Sequence, residues 1–279
     1  MSHAVSVVDL HAHTTASDGT FEPGDLVREA AAQALRVLAI TDHDSTDGIP
    51  PALAAAREYP TLEIVPGIEI NTDVPGAEVH ILGYFVDHEA PWLGETLREF
   101  REERLARIHR IAERLAGLGC PIDPAEVFAL VREGSAGRPH VARVMVERGY
   151  VATVKEAFDR YLGAGKPAHV PHRKVDPRDA CRLIHRARGL AVLAHPGFHE
   201  GSETLIRELA TEHLLDGVES YYPEHSPAET RRFVELCREL GLVPTGGSDF
   251  HGPSVRAATL GQTPVPWEAW EALRRRGGR

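Results

Sequence analysis

Short apolar runs and helix-type periods alternate along the first third of the chain. VSVVDL (5–10), VLAIT (37–41), LEIVPGIEI (62–70) and VHILGYFV (79–86) are apolar and largely β-branched, so each reads as a buried strand. The alanine-rich segments 23–35 and 51–58 between them read as helices. This alternation predicts βα units and an α/β fold built on a parallel sheet or barrel. One connection differs: NTDVPGAE, between the third and fourth strands, carries the Asn, Asp, Pro and Gly of a hairpin-like turn.

From residue 95 the pattern changes. TLREFREERLARIHRIAERLAGLG sets Leu97, Phe100, Ile108, Ile111, Leu115 and Leu118 at helical spacing, with Gly119 as a stop. Further helices are predicted at 124–133, 138–148 and 154–162, with no strand among them. The α/β rhythm returns with a helix at 179–188, strands at 189–196, 216–220 and 242–249, and a helix at 228–240. The expected organisation is therefore a sheet domain in two parts, 1–98 and 169–279, around a helical insertion at 99–168.

With 42% hydrophobic and 26% charged residues among 279, the chain is neither wholly disordered, nor collagen-like, nor a disulfide scaffold. Cys120, Cys181 and Cys237 are odd in number and form no C-x-x-C pair, so they read as free thiols of a reducing compartment. The N-terminal residues have no basic segment and too short an apolar run for a signal peptide, and no run approaches 18 apolar residues. A cytoplasmic protein with no membrane and no stable protein partner is expected. A net charge of −10 argues against holding nucleic acid by bulk electrostatics, so any phosphate must be met by a local site.

Histidine, at 16 residues, is roughly two to three times as frequent as average composition would give. The excess concentrates at predicted strand ends. His11 and His13 close the first strand, with Asp18 in the loop beyond; Asp42, His43 and Asp44 close the second; Glu69 ends the third; His80 lies in the fourth. His195 ends the fifth, and Asp249 with His251 the last. The carboxyl ends of parallel strands converge on one crevice, which would gather these side chains.

Taken singly, a strand-end histidine reads as structural, H-x-H is a weak motif, and Asp42 and Asp44 read as caps of the following turn or helix. Together, so many imidazoles and carboxylates cannot satisfy one another by hydrogen bonding, whereas divalent cations would neutralise the carboxylates and use the imidazole lone pairs. Alternation along an extended strand turns His11 and His13 to the same side. A Glu between two ions can bridge them at about 3.5–4 Å, a spacing suited to activating water.

LHAHTTASDG, ITDHDS, VPGIEI, VHILGY, LAHPG and GSDFHG, in this order, resemble the PHP (polymerase and histidinol phosphatase) superfamily over nearly the whole chain. GRPHVARVMVERGYV, AFDRYLGAGKPAHVPH and GSDFHGP resemble its branch of 3′,5′-nucleotide bisphosphate phosphatases and related 5′-to-3′ exoribonucleases. The resemblance implies a distorted (β/α)7 PHP barrel with a helical insertion and a site for two to three divalent metals (Mn, Fe or Zn). His11, His13, Glu69 and Asp249 would hold one ion, Glu69, His80 and His195 a second, and Asp18, His43 and His251 a third.

The implied chemistry is hydrolysis of the 3′-phosphate of a small nucleotide with two phosphates, and exonucleolytic action on short 5′-phosphorylated RNA beside it. A metal-bridging hydroxide would attack phosphorus. Glu69, Asp249 and His225, the last a candidate general acid, would be catalytic. Arg138, His140, Lys166 and His172 would grip phosphate. The competing readings are a histidinol-phosphate-type phosphatase and a non-catalytic regulatory PHP module. His109, His185 and His213 fall in predicted helices and read as structural or surface residues; His3, His88, His169 and His199 have no assigned role.

Overall fold

The computed structural model describes residues 6–74, 77–130, 137–163, 165–170, 175–199, 201–253 and 258–279. The chain divides into two compact units, Met1–Gly94 with Val175–Arg279, and Glu95–Lys174, wider than the 99–168 expected from the pattern.

The first unit is built on seven strands whose spatial order follows the sequence: β1 (Val8–Asp9), β2 (Val37–Ile40), β3 (Glu63–Val74), β4 (Ala77–Tyr84), β5 (Leu190–Leu193), β6 (Gly217–Tyr221) and β7 (Val243–Gly246). All neighbours pair in parallel except across β4, which is antiparallel to both β3 and β5. Beyond the named strands, a parallel bridge joins Ala12 to Phe250, and the Leu10 N–H donates to the Gly246 carbonyl at 3.2 Å. The sheet thus returns on itself as a nearly closed barrel. That return needs a residue without a side chain: a Cβ on Gly247 would lie 2.4 Å from the His11 nitrogen.

Every residue of β2 is buried, as expected of a strand covered on both faces. Val8, Leu10, Val37, Ala39, Val65, Leu82, Tyr84, Val192 and Val243 form one cluster with Trp270 and Leu273. The flanking helices are α1 (Pro23–Ala32), α2 (Ile49–Ala56), and later α7 (Pro177–Arg186), α8 (Ser202–Thr211), α9 (Pro227–Leu240) and α10 (Trp267–Arg276). Of these, α8 and α10 have no counterpart in the sequence reading. In α9 the start is fixed by a capping box, with Ser226 and Glu229 each taking the other's backbone N–H, and by Pro227 in its first turn.

The expected 71–78 turn is mostly strand. Asn71 to Val74 pair with Ala77 to His80, and only residues 75 and 76, outside the described residues, separate them.

The second unit contains α3 (Pro91–Gly117, continuing from the first unit), α4 (Pro124–Leu130), α5 (Arg138–Glu147) and α6 (Val154–Ala157), the last running into a π-helical turn, Phe158–Leu162. Ile108, Ile111, Leu115, Val127, Val141, Met145 and Leu162 form its own core. Leu118 falls past the end of α3 and is exposed rather than part of the apolar stripe. All three cysteines are buried and free, and among the described residues no helix is long and apolar enough to cross a membrane.

Candidate metal centre

Six of the seven strands present their carboxyl ends at one rim, and the reversed β4 presents its amino-terminal half there. His80 pairs with Asn71, two residues past Glu69 and on the same face of the sheet. A histidine early in its strand thereby joins residues that end theirs.

Glu69 is the centre of the site. Its Oε2 lies 3.2 Å from Nε2 of both His11 and His13 and 3.3 Å from Nδ1 of His43. Its Oε1 lies 2.9 Å from Nδ1 of His80 and 3.2 Å from Nε2 of His195. The carboxylate therefore divides five imidazoles between its two oxygens. Asp249 Oδ1 approaches Nε2 of His11 and His13 at 3.2 and 3.3 Å. Asp18 lies 3.2 Å from His251, 3.4 Å from His13 and 3.7 Å from His43.

Three sets of ligand-type atoms converge: His11, His13, Glu69 and Asp249; His13, Asp18, His43 and His251; and His43, Glu69 and His80. These sets take in eight of the nine side chains that the resemblance implies as ligands, and the ninth, His195, meets them at Glu69 Oε1. The second set implied by the resemblance differs in one member, with His43 standing where His195 was expected.

The geometry of the first set suits a cation. His11 Nε2 and His13 Nε2 are 3.1 Å apart, and their separations from Glu69 Oε2 and Asp249 Oδ1 are 3.2–3.3 Å. Ligand atoms on a tetrahedron of about 2.0–2.1 Å bonds lie about 3.3–3.4 Å apart. His43 adds a second sign, because its buried Nδ1 makes no hydrogen bond although Glu69 Oε2 is 3.3 Å away.

Protons stand in for cations when no metal is bound. Burial opposes charge on His11, but the carboxylates of Glu219, Asp249 and Glu69 outweigh it and hold its pKa well above the ordinary value. His13 is likewise opposed by burial yet pushed up to about 10 by hydrogen bonds to Asp249 and Glu69. Burial prevails at His43, pushed down to about 3. Glu69 and Asp249 sit well below the carboxylate range, the surrounding imidazoles outweighing their burial.

The supporting residues were only partly visible beforehand. Glu219, fully buried in β6, places Oε1 2.9 Å from His11 Nδ1 and accepts the His195 N–H at Oε2, also at 2.9 Å. The signal was an acidic residue inside an apolar strand, and the sequence reading passed over it. Asp9, another buried acid in a strand, accepts N–H groups from His11, Ser248 and Gly261. The Tyr222 hydroxyl donates to Asp249 Oδ2 at 2.7 Å.

The N-cap of α2 is Gly48, with no side-chain cap, and Asp42 and Asp44 tie other segments. Asp42 accepts from the Thr14 N–H and the Thr14 and Ser17 hydroxyls, fixing the loop that carries Asp18. Asp44 accepts from the Asn71 backbone and side chain. Asp44, His195 and Asp249 all have positive φ, an uncommon backbone conformation gathered at this rim.

Of the remaining candidates, His225 has both ring nitrogens engaged. Nε2 accepts the Gly197 N–H at 3.1 Å, leaving Nδ1–H to donate to the Ser220 carbonyl at 3.1 Å. In the second unit, Arg138 opens α5, with Nη1 3.4 Å from the Leu162 carbonyl and its guanidinium over the Phe158 ring. His140 Nδ1 accepts the Gly137 N–H, and Lys166 is exposed. His172 and His3 lie outside the described residues. His185 pairs with Asp216 and His109 packs on Phe128, both structural contacts.

Comparison with known proteins shows what the chain resembles as a whole. Residues 9–218 match the family described as PHP domain. The chain is 36% identical over 275 residues to the 5′-3′ exoribonuclease Rnm of Salmonella typhimurium, covering 95% of this chain and 94% of that protein. It is 35% identical over 280 residues to the 3′,5′-nucleoside bisphosphate phosphatase of Chromobacterium violaceum, covering 96% and 97%. A solved structure from Bifidobacterium adolescentis, provisionally described as a metal-dependent phosphoesterase, superposes with a TM-score of 0.78 at 29% identity over 100% of both chains.

Proposed function

The chain belongs to the PHP-domain family of metal-dependent phosphoesterases, and on that premise we propose that it removes the 3′-phosphate from nucleoside 3′,5′-bisphosphates. Short 5′-phosphorylated RNA, taken exonucleolytically, is the second substrate class of this reading. The observation that carries it is the division of Glu69 between two groups of imidazoles. A carboxylate so placed suits two cations close together, the arrangement that grips a phosphoryl group. Relatives named for a bisphosphate phosphatase and an exoribonuclease support the substrate class.

In this reading two to three ions of Mn, Fe or Zn occupy the centre. Such ions lower the pKa of water and offset charge on phosphate oxygens. The protein's own part is positional. His11 and His13 face Glu69 and Asp249 with their Nε2 atoms, Glu219 and Tyr222 hold that arrangement from behind, and Asp42 fixes the loop bearing Asp18. Arg138 is our candidate for the second, non-reacting phosphate, since a guanidinium matches phosphate bidentately, with His140, Lys166 and His172 as further candidates. With a net charge of −10, long polyanions are repelled at a distance, which favours a small substrate held by few cations.

The test is the ratio of kcat/KM for adenosine 3′,5′-bisphosphate to that for adenosine 3′-monophosphate and for histidinol phosphate. We expect a strong preference for the bisphosphate and a collapse of the ratio in Arg138→Ala. Equal efficiency on mono- and bisphosphate, or parallel loss of both in Arg138→Ala, contradicts the assignment.

A further inference from the structure

Phe198 is 58% exposed, the most exposed large apolar side chain among the described residues. A single exposed apolar residue is ordinary. What sets Phe198 apart is its company. It ends the short 3-10 turn Pro196–Phe198 that follows His195 directly, and its ring lies 5.6 Å from the His195 ring. The Tyr222 ring meets it edge-on at 5.5 Å, at 90° between planes.

The turn beneath is fixed from two directions. The Gly197 N–H donates to His225 Nε2, and His225 is tied in turn to the Ser220 carbonyl. A Cβ on Gly197 would lie 2.7 Å from the His225 ring, so the turn packs directly on that imidazole. Tyr222 is anchored at its hydroxyl by Asp249, and its ring lies 5.5 Å from that of His195 and 5.2 Å from that of His225, tilted to both. The result is an aromatic row that begins among the ligand-type residues and ends in the exposed Phe198 ring.

We infer that Phe198, backed by Tyr222, is a stacking platform for the nucleobase of the substrate. The inference rests on the nucleotide reading above and deepens it: a base stands one ribose away from its 3′-phosphate, and Phe198 stands one ring contact away from His195. An aromatic face accepts any base, because every base has a π-face, so the platform gives selectivity for a nucleotide over a base-free sugar phosphate with little choice among bases. It also supplies a use for His225 different from proton transfer: with both ring nitrogens bonded to backbone, His225 is a positioning residue for the turn that carries Phe198.

The experiment compares adenosine 3′,5′-bisphosphate with ribose 3,5-bisphosphate, its base-free counterpart, on metal-loaded wild type, Phe198→Ala and Phe198→Trp. The wild type should prefer the adenosine compound. Phe198→Ala should reduce that preference about tenfold, chiefly through KM, and Phe198→Trp should restore it, with metal content and Tm at wild-type values in all three. A preference that survives Phe198→Ala, or a Trp variant as poor as the Ala variant, overturns the platform.

Equilibrium dialysis of adenosine 3′-monophosphate against ribose 3-phosphate separates the two readings. If neither bisphosphate is hydrolysed but adenosine 3′-monophosphate binds more tightly and loses that margin in Phe198→Ala, the platform stands and the substrate assignment fails. If bisphosphates are hydrolysed with no margin for the base, the platform alone fails.

Discussion

Oε1 of Glu219 lies 2.9 Å from Nδ1 of His11, while Oε2 of the same carboxylate accepts the His195 backbone N–H at 2.9 Å. One buried acid thereby orients two residues of the rim, and the contact at Nδ1 turns Nε2 of His11 toward Glu69 and Asp249. A carboxylate behind a metal-ligating histidine fixes its tautomer and raises its basicity. Glu219→Gln, whose amide can donate to Nδ1 and reverse the tautomer, is expected to weaken metal retention by about 10–100-fold. Competition with a chromogenic chelator measures this, and unchanged retention would remove Glu219 from the account.

Metal uptake should release protons. With its pKa raised to about 10, His13 is an imidazolium at neutral pH in the metal-free protein, and His11 is shifted in the same direction. Each must lose its proton to become a ligand, so affinity falls as pH falls. For the metal-free fold the sign is opposite: stabilisation from charged His13 is full below its unfolded value near 6.5 and is lost as pH rises through about 10. Calorimetric titration of metal at pH 7 in buffers of different ionisation enthalpy should show at least about one proton released per chain. A heat independent of buffer contradicts this.

Barrel closure depends on Gly247, where a Cβ would meet the nitrogen and Cβ of His11 at 2.4 and 2.5 Å. The obstacle is mostly backbone and cannot rotate away. Gly247→Ala is expected to cost at least about 2 kcal/mol, lowering Tm by roughly 4–8 °C, and to reduce metal retention because His11 must move. A thermal melt at wild-type Tm would show that the strands can part without cost.

The convergence of nine ligand-type residues was legible because strand ends in a parallel sheet share a rim, so His11, Asp249 and Glu69 could be placed together from spacing alone. His80 followed less directly, since its position early in a strand makes sense only once β4 is reversed, which the turn residues between Asn71 and Glu78 foreshadowed. Glu219 and Asp9 were hidden because a buried acid in an apolar strand looks the same whether it supports a ligand or a loop. Leu118 kept helical spacing beyond the point where α3 stops, a reminder that periodicity does not mark an end. Asp42 and Asp44 resemble caps in sequence because capping and loop-tying use the same short carboxylate, and only tertiary contacts separate the two.

Glu69 carries the central claim, and metal content together with turnover in wild type and Glu69→Gln tests it most directly. Elemental analysis of protein never exposed to chelator should find more than one Mn, Fe or Zn per chain in wild type. The Glu69→Gln protein should hold fewer ions, with kcat reduced at least about a hundredfold, roughly 2.7 kcal/mol of barrier. A wild type active with at most one ion per chain, or a Glu69→Gln variant with full metal content and near wild-type turnover, would contradict the reading of Glu69 as a bridge.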